Sequence, residues 1–220
     1  EAMLPTTSPN FSVIRRNLSR LGRIRRYFAA YCQYSSRYDK LQQGDAANVF
    51  RTSMSGGATM DIGVYTIYPM VALFGMPQSI NAQGIILSGG VDGQAAVNMT
   101  YHDMNATVVY SKIADSYLPS EIEGEKGNLL MSGIHVIHDV TFIPHRKPMS
   151  GQGPEEERQA VGVEIDKSDY FYETAEFMDL VEKGKSESEN NSWENSYNTL
   201  RVTDEIRRQL GVVFPTDSAK

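Results

Sequence analysis

The spacing of apolar residues changes near Pro77, and this change restricts the possible folds more than any other feature of the sequence. Over residues 58–74, apolar side chains recur every three or four positions, which predicts one face of a helix. Gly75 and Pro77 are expected to end that helix. From Gln78 to about Ile143, apolar and polar residues alternate instead, which is typical of strands with one buried face. The middle of the chain therefore predicts a helix followed by a run of strands.

Short turns separate the predicted strands. Residues 89–93 and 102–105 contain the Gly, Asp and Asn residues that favour turns, and connections of this length join antiparallel neighbours. Residues 121–127 and 128–137 extend the same pattern, so about four to six strands are expected in this region.

Helices and loops are predicted on both sides of the strand region. Ser8 is expected to cap a short helix over residues 9–18 that closes near Gly22, and a long strand follows over residues 24–33. The other predictions are an irregular segment, an exposed loop and two C-terminal helices: residues 34–55, 149–154, 170–182 and 193–210.

Because strands and helices occur in separate runs, the pattern predicts an α+β fold. We expect a predominantly antiparallel, mixed open sheet with helices packed on one face. The other face would be available for dimerisation with a second copy of the chain.

Composition narrows the class of protein. The chain has 220 residues and a net charge of −6, and it has no run of the ~18 apolar residues that a membrane-spanning helix needs. We therefore expect no membrane partner, and the first residues show no signal-peptide pattern. Cys32 is the only cysteine, which fits a reducing, cytoplasmic location.

Charge is distributed unevenly along the chain. Residues 1–40 hold eight basic and two acidic side chains, whereas residues 150–189 hold four basic and twelve acidic ones. The N-terminal arginines could bind nucleic acid, which would make binding strongly salt-dependent. The alternative is a solvated strand face, and the net charge of −6 favours it, so no nucleic acid partner is expected.

Several common site motifs are absent from the sequence. No G-x-G-x-x-G turn or phosphate-binding Walker loop occurs, and Pro154 interrupts the nearest glycine cluster, which begins at Gly151. No G-x-S-x-G elbow is present, and the four histidines are scattered, with His135 and His138 expected on opposite faces of a strand. We therefore expect no cofactor-binding and no metal-binding residues in this chain.

The predicted helix over residues 58–74 carries a candidate chemical group. Asp61, Tyr65 and Tyr68 fall at positions i, i+4 and i+7, which places them along one stripe. A phenol beside a carboxylate can donate or accept a proton if a nearby cation lowers its pKa from about 10. Alternatively, both tyrosines pack at the edge of the core with their hydroxyls outward.

The same segment resembles a known family. Residues 56–65 (GGATMDIGVY) and 74–77 (FGMP) are similar to the C-terminal domain of the glucose-fructose oxidoreductase and inositol dehydrogenase (Gfo/Idh/MocA) family, and most similar to its dihydrodiol dehydrogenase branch. Supporting matches lie along nearly the whole chain: residues 1–3 (EAM), 21–24 (LGRI), 122–127 (IEGEKG) and 204–215 (DEIRRQLGVVFP).

This resemblance implies that residues 1–220 are the substrate-binding and dimerisation domain of a two-domain NAD(P)-dependent oxidoreductase. Residues 1–3 would be the end of an N-terminal Rossmann domain that binds NAD or NADP. The full protein would transfer a hydride to or from a sugar, polyol, diol or related carbonyl compound, as a homodimer or higher oligomer. Residues 1–220 alone would be inactive.

The resemblance also implies roles for individual residues. Tyr65 would be the proton donor or acceptor, activated by a lysine of the Rossmann domain, while Asp61 would hold the geometry or bind substrate hydroxyls. Further substrate-binding candidates are Tyr68 and four residues that follow the first strand: Gln33, Ser35, Arg37 and Tyr38. The competing hypothesis is a non-catalytic sheet domain for protein assembly. It requires Asp61 and Tyr65 to be sealed in the core, whereas the enzyme requires them partly exposed in a concave pocket.

Overall fold

A single sheet of eight strands organises the chain. The computed structural model describes residues 2–45, 47–145 and 157–218. The strands are β1 Ile24–Cys32, β2 Ser79–Ile86, β3 Asp92–Thr100, β4 Asn105–Ser111, β5 Ser120–Gly124, β6 Gly127–Met131, β7 Thr141–Pro144 and β8 Gln159–Ala160. The helices are α1 Leu4–Thr7, α2 Pro9–Asn17, α3 Ser36–Gln42, α4 Val64–Phe74, α5 Asp169–Glu182 and α6 Trp193–Leu210. None of the helices in the described ranges combines the length and the apolar character needed to cross a membrane.

The sheet is mixed and mostly antiparallel. Its strand order is β2-β3-β4-β1-β5-β6-β7-β8, so the first strand lies in the middle. β1 runs parallel to β4, and the other neighbouring strands are antiparallel. The predicted α+β class with an open, predominantly antiparallel sheet is confirmed.

The core lies against one face of the sheet. The buried strand side chains that share this face include Tyr27, Ala29, Val97, Met99, Val108, Tyr110, Ile122 and Leu129. They form one cluster with apolar residues of α2, α4 and α6, such as Ile14, Ile67 and Val202. Side chains on the opposite face, including Arg26 and Asn98, remain exposed. Helices therefore pack on one face, as predicted.

The segment predicted to be irregular, residues 34–55, contains α3 and two short 3-10 turns. The Oγ of Ser35 accepts a hydrogen bond from the Arg37 N–H and caps α3. The ring of Tyr38 then lies 6.1 Å from the buried ring of Phe50, which holds the helix over the loop that follows it. The prediction missed this helix because a seven-residue helix with no buried side chain has little apolar periodicity.

The predicted helix over residues 58–74 is divided into two parts. Its first turn is π-helical over Thr59–Gly63, and α4 continues from Val64. A Cβ atom at Gly63 would lie 3.0 Å from the ring of Tyr110, so glycine lets this turn approach the sheet closely.

The strand predicted over residues 128–137 ends early, at Met131. The carboxylate of Asp139 accepts hydrogen bonds from the Ser132 N–H and Oγ, at 2.9 and 2.6 Å, and closes a loop. His135 and His138 consequently lie in this loop and not on a strand. The predicted loop over residues 149–154 lies outside the described residues.

Candidate functional site

A buried carboxylate fixes the π-helical turn Thr59–Gly63, which leads into α4, to the sheet. Asp92 accepts hydrogen bonds from the Thr59 N–H and Oγ1, at 2.7 and 2.8 Å, and Thr59 Oγ1 also bonds the hydroxyl of Tyr110 at 2.8 Å. Burial raises the pKa of Asp92 above its ordinary value. At Gly57, φ is +119° and a Cβ would lie 2.4 Å from Asp92 Oδ1, so this turn requires glycine. The side chains that follow are thereby held in a defined direction.

Those side chains line a cavity of about 260 Å³. Asp61, Tyr65 and Tyr68 share one wall of it with Met60 and Val64. Residues of α6 and the N-terminal segment form the remaining walls: Ser196, Thr199, Leu200, Ala2 and Met3. Asp61 is exposed and Tyr65 is half-buried, whereas Tyr68 is 1% exposed with its hydroxyl 3.2 Å from Ser196 Oγ. The stripe predicted from the sequence is therefore open to the surface at Asp61 and Tyr65.

Tyr65 also contacts a second polar cluster at the end of β1. Its ring meets Tyr31 edge to face, with centroids 5.9 Å apart, and Tyr31 stacks on His135 at 4.0 Å. Burial, followed by the nearby Tyr65 and Asp61, raises the pKa of Tyr31. Burial also lowers the pKa of His135, so its ring is neutral at neutral pH. The Tyr31 hydroxyl donates to Gln33 Oε1 at 3.3 Å.

Asp61 forms an ion pair with Lys112 at the border of the site. The Lys112 ammonium contacts Asp61 Oδ2, and the Lys112 side chain is only 8% exposed, whereas that of Asp61 is 39% exposed. Lysine is rarely buried to this extent without a partner. This side of the site therefore carries a fixed cation–carboxylate pair.

The structure separates the predicted site residues into groups. Asp61, Tyr65 and Tyr68 meet in one cavity, and Gln33 lines a neighbouring cavity of about 350 Å³ together with Tyr31 and His135. The other three predicted residues line neither cavity: Ser35, Arg37 and Tyr38.

Sequence reasoning missed Tyr31, His135 and Lys112. Tyr31 could have been found, because it alternates with Tyr27 and Ala29 along β1 and so shares their face. His135 and Lys112 lie outside regular elements, where no periodicity marks them.

Within the described residues, no group of three His, Cys, Asp or Glu side chains could hold a metal ion. The phosphates of a dinucleotide cofactor would need a glycine turn between a strand and a helix. The connection from β1 to α3 contains no glycine, and an approach of backbone amides to a pyrophosphate depends on glycines at such a turn. These residues therefore do not fit a nucleotide-phosphate site.

The N-terminal arginines are distributed over separate contacts. Arg25 pairs with Glu125 and Arg26 pairs with Glu123, while Arg20 lies over the ring of Phe142 at 3.9 Å. The arginines of β1 thus take part in ion pairs with glutamates of the β5–β6 hairpin.

Comparison with known proteins agrees with this architecture. A model of the GFO/IDH/MocA C-terminal domain matches residues 17–130. The scyllo-inositol 2-dehydrogenase (NADP(+)) IolU of Bacillus subtilis is 41% identical over 219 residues, covering 100% of this chain and 64% of that protein. The trans-1,2-dihydrobenzene-1,2-diol dehydrogenase of Danio rerio is 29% identical over 169 residues, covering 75% of this chain and 49% of that protein.

Solved structures show the same fold at low sequence identity. The crystal structure of an NAD binding oxidoreductase from Klebsiella pneumoniae superposes with a TM-score of 0.74 at 14% identity, over 96% of this chain and 65% of that one. The chain thus spans about two thirds of the relatives that it matches over its whole length. From its sequence and its sheet, the chain belongs to the GFO/IDH/MocA family and comprises that family's C-terminal domain.

Proposed function

We propose that this chain is the substrate-binding half of an NAD(P)-dependent oxidoreductase that acts on a polyol, sugar, diol or related carbonyl compound. The observation that carries the proposal is the position of Asp61 and Tyr65 on the accessible wall of one cavity. A purely structural role would seal both side chains in the core, and Asp61 is exposed.

Tyr65 is the proposed proton donor or acceptor. Oxidation of a secondary alcohol removes a proton from oxygen and a hydride from carbon, and the nicotinamide of NAD or NADP takes up the hydride when bound. The Tyr65 phenolate takes the proton from the hydroxyl, and in the reverse direction the phenol returns it. A lysine from the nucleotide-binding domain, which the family resemblance implies, favours the phenolate by its positive charge.

The cavity favours a neutral, hydroxyl-rich substrate. The described residues that line it include hydroxyl groups and the carboxylate of Asp61 but no Lys, Arg or His. Such a surface hydrogen-bonds alcohols and offers no unpaired cation to a phosphate or a sugar acid. A 41% identical relative is named for scyllo-inositol and NADP(+), which makes this pair the natural first assay.

The proposal assigns the cofactor to an N-terminal Rossmann domain of the complete protein, of which residues 1–3 would be the end. Ala2 and Met3 line the cavity, so a domain joined there would lie beside Asp61 and Tyr65. Because that domain would bind the cofactor, we expect the isolated chain to be inactive.

The decisive experiment is Tyr65→Phe in the complete protein, assayed with scyllo-inositol and NADP(+). Loss of the positioned hydroxyl is expected to lower kcat by ~10²-fold or more, with little change in cofactor affinity. Tyr101→Phe is the matched control, because it removes a hydroxyl that bonds the Gly75 carbonyl in a part of the fold away from the cavity. Unchanged turnover in Tyr65→Phe would contradict the proposed role.

Assembly through the open face of the sheet is the second part of the proposal. This face leaves residues such as Ala96 and Asn98 exposed, and a second copy of the chain would cover it. Sedimentation of the complete protein should show a dimer or higher oligomer, and a strict monomer at micromolar concentration would contradict it.

A cytoplasmic location, consistent with the single Cys32, remains a prediction.

A further inference from the structure

Lys112 is a buried cation whose ammonium reaches the proposed site. It follows the last residue of β4 directly, and its side chain is 8% exposed. Its ammonium contacts one carboxylate oxygen of Asp61, Oδ2. Asp61 lies one helical turn before Tyr65, so Lys112 is connected to the proton-transfer residue through a single side chain.

Three separate segments hold Lys112 in place. Its N–H donates to the Gly93 carbonyl at 2.8 Å, and its carbonyl accepts from the Ser35 N–H at 2.9 Å. Its ammonium also lies 5.9 Å from the ring centroid of Phe50, close enough for a cation–π attraction. The lysine is therefore a fixed point to which the carboxylate is attached.

We propose that Lys112 is a positioning residue that acts through Asp61 on substrate binding. The ammonium occupies Oδ2 and restricts the carboxylate to one orientation, and Oδ1 accepts a hydroxyl of the substrate next to the carbon that reacts at Tyr65. The inference rests on the proposed function, because it assigns a substrate hydroxyl to the cavity.

The pair also sharpens the substrate class. A carboxylate accepts hydrogen bonds and a hydroxyl donates them, so Asp61 suits an alcohol neighbouring the reacting carbon. The ammonium is already bound to Asp61, so it does not offer a free cation to a phosphate or carboxylate. The expected substrate is a neutral compound with two adjacent hydroxyls, or a hydroxyl beside a carbonyl.

The test is a double-mutant cycle of Lys112→Met and Asp61→Asn in the complete protein, with scyllo-inositol and NADP(+) as the assayed pair. Lys112→Met is expected to raise the KM for scyllo-inositol about tenfold, since a charge-assisted contact to the binding carboxylate is lost. The KM for NADP(+) should stay within twofold. In the double mutant, Lys112→Met should not raise the KM for scyllo-inositol beyond that of Asp61→Asn alone. The single variant Lys112→Arg should have a KM within threefold of the wild-type value.

Lys126→Met is the matched control, because Lys126 is an exposed lysine in the turn between β5 and β6. A KM equal to that of wild type in Lys112→Met, or a full additional effect on top of Asp61→Asn, would overturn the inference. If turnover of Lys112→Met is too low to assay, calorimetric affinity for scyllo-inositol gives the same comparison.

The two proposals fail in different ways. Normal turnover in Tyr65→Phe, or no oxidation of any polyol by the wild-type protein, overturns the proposed function and the inference with it. Loss of turnover in Tyr65→Phe with an unchanged KM in Lys112→Met overturns only the role of Lys112.

Discussion

Among the residues that the structure describes, two buried cations are held by carboxylates, and one of these two borders the proposed site. Lys112 is 8% exposed and contacts Asp61. Arg207 of α6 is 9% exposed and contacts both Asp204 and Asp217, which together with Phe214 we call the C-terminal clasp. The two cations are alike in burial and charge, but their surroundings differ.

Arg207 is bound by more groups. Its guanidinium bonds Asp217 at 2.9 Å and Asp204 at 2.6 Å, and its Cζ atom lies 4.2 Å from the ring centroid of Phe214. These contacts fasten the C-terminal tail to α6. Lys112 has one carboxylate, and that carboxylate lies on the wall of a cavity beside Tyr65. A buried ion pair is therefore not evidence of a functional site by itself. Lys112 is distinguished from Arg207 because the carboxylate that it contacts, Asp61, lines a cavity.

Arg207→Met should show the largest change in stability. It leaves Asp204 and Asp217 unpaired and removes the contact with Phe214, so we expect the free energy of unfolding to fall by about 2 kcal/mol. The partial exposure of both carboxylates lets water offset part of the loss. In chemical denaturation, Lys112→Met should lose less than about 1 kcal/mol, because only one carboxylate loses its partner and that carboxylate is 39% exposed.

Arg208→Met is the matched control for the clasp, because Arg208 follows Arg207 directly, is 72% exposed and pairs with Glu205 three positions before it. Its effect should stay below about 0.5 kcal/mol. If Arg207→Met were no more destabilising than Arg208→Met, the contrast between buried and exposed pairs would be lost.

The hydrogen bonds of Glu205 predict a smaller effect on the free energy of unfolding, and this effect depends on pH. Hydrogen bonds from Arg208 and Gln209 lower the pKa of Glu205 from 4.5 to about 2. A carboxyl with a lowered pKa in the folded state stabilises the protein above pH 4.5, and this stabilisation is lost as the pH falls from 4.5 to 2. Because the group is partly exposed and solvent screens its charge, the contribution is below about 1 kcal/mol.

Glu205→Gln should therefore reduce the difference in unfolding free energy between pH 7 and pH 3. Glu164→Gln, at an exposed glutamate of the segment before α5, should leave that difference unchanged. An identical pH dependence in wild type and Glu205→Gln would show that the hydrogen bonds at Glu205 do not stabilise the folded state.

The sequence predicted regular elements well where periodicity is strong. The bounds of α6, Trp193–Leu210, match the predicted helix because Ser192 caps it and Gly211 ends it in the left-handed conformation. The helix α3 was missed because it buries no side chain. The sequence pattern predicts strand where the loop with His135 lies, because the closure of this loop depends on Asp139, a contact that spacing does not reveal.

The site was predictable only in part. Asp61, Tyr65 and Tyr68 lie on one helix, so helical spacing alone brings them to one wall. Lys112 reaches this region because the ends of β1 and β4 are parallel neighbours, and His135 reaches it because β6 lies two strands from β1 and runs in the same direction. This sheet order depends on long-range pairing, which local sequence does not encode.

The most direct measurement of the central claim is a crystal structure of the complete protein with scyllo-inositol bound. The account predicts one substrate oxygen within about 3 Å of Tyr65 Oη and a neighbouring hydroxyl within about 3 Å of Asp61. A polyol seated instead in the larger cavity of about 440 Å³ beside Phe177 and Trp193, with Tyr65 untouched, would contradict it.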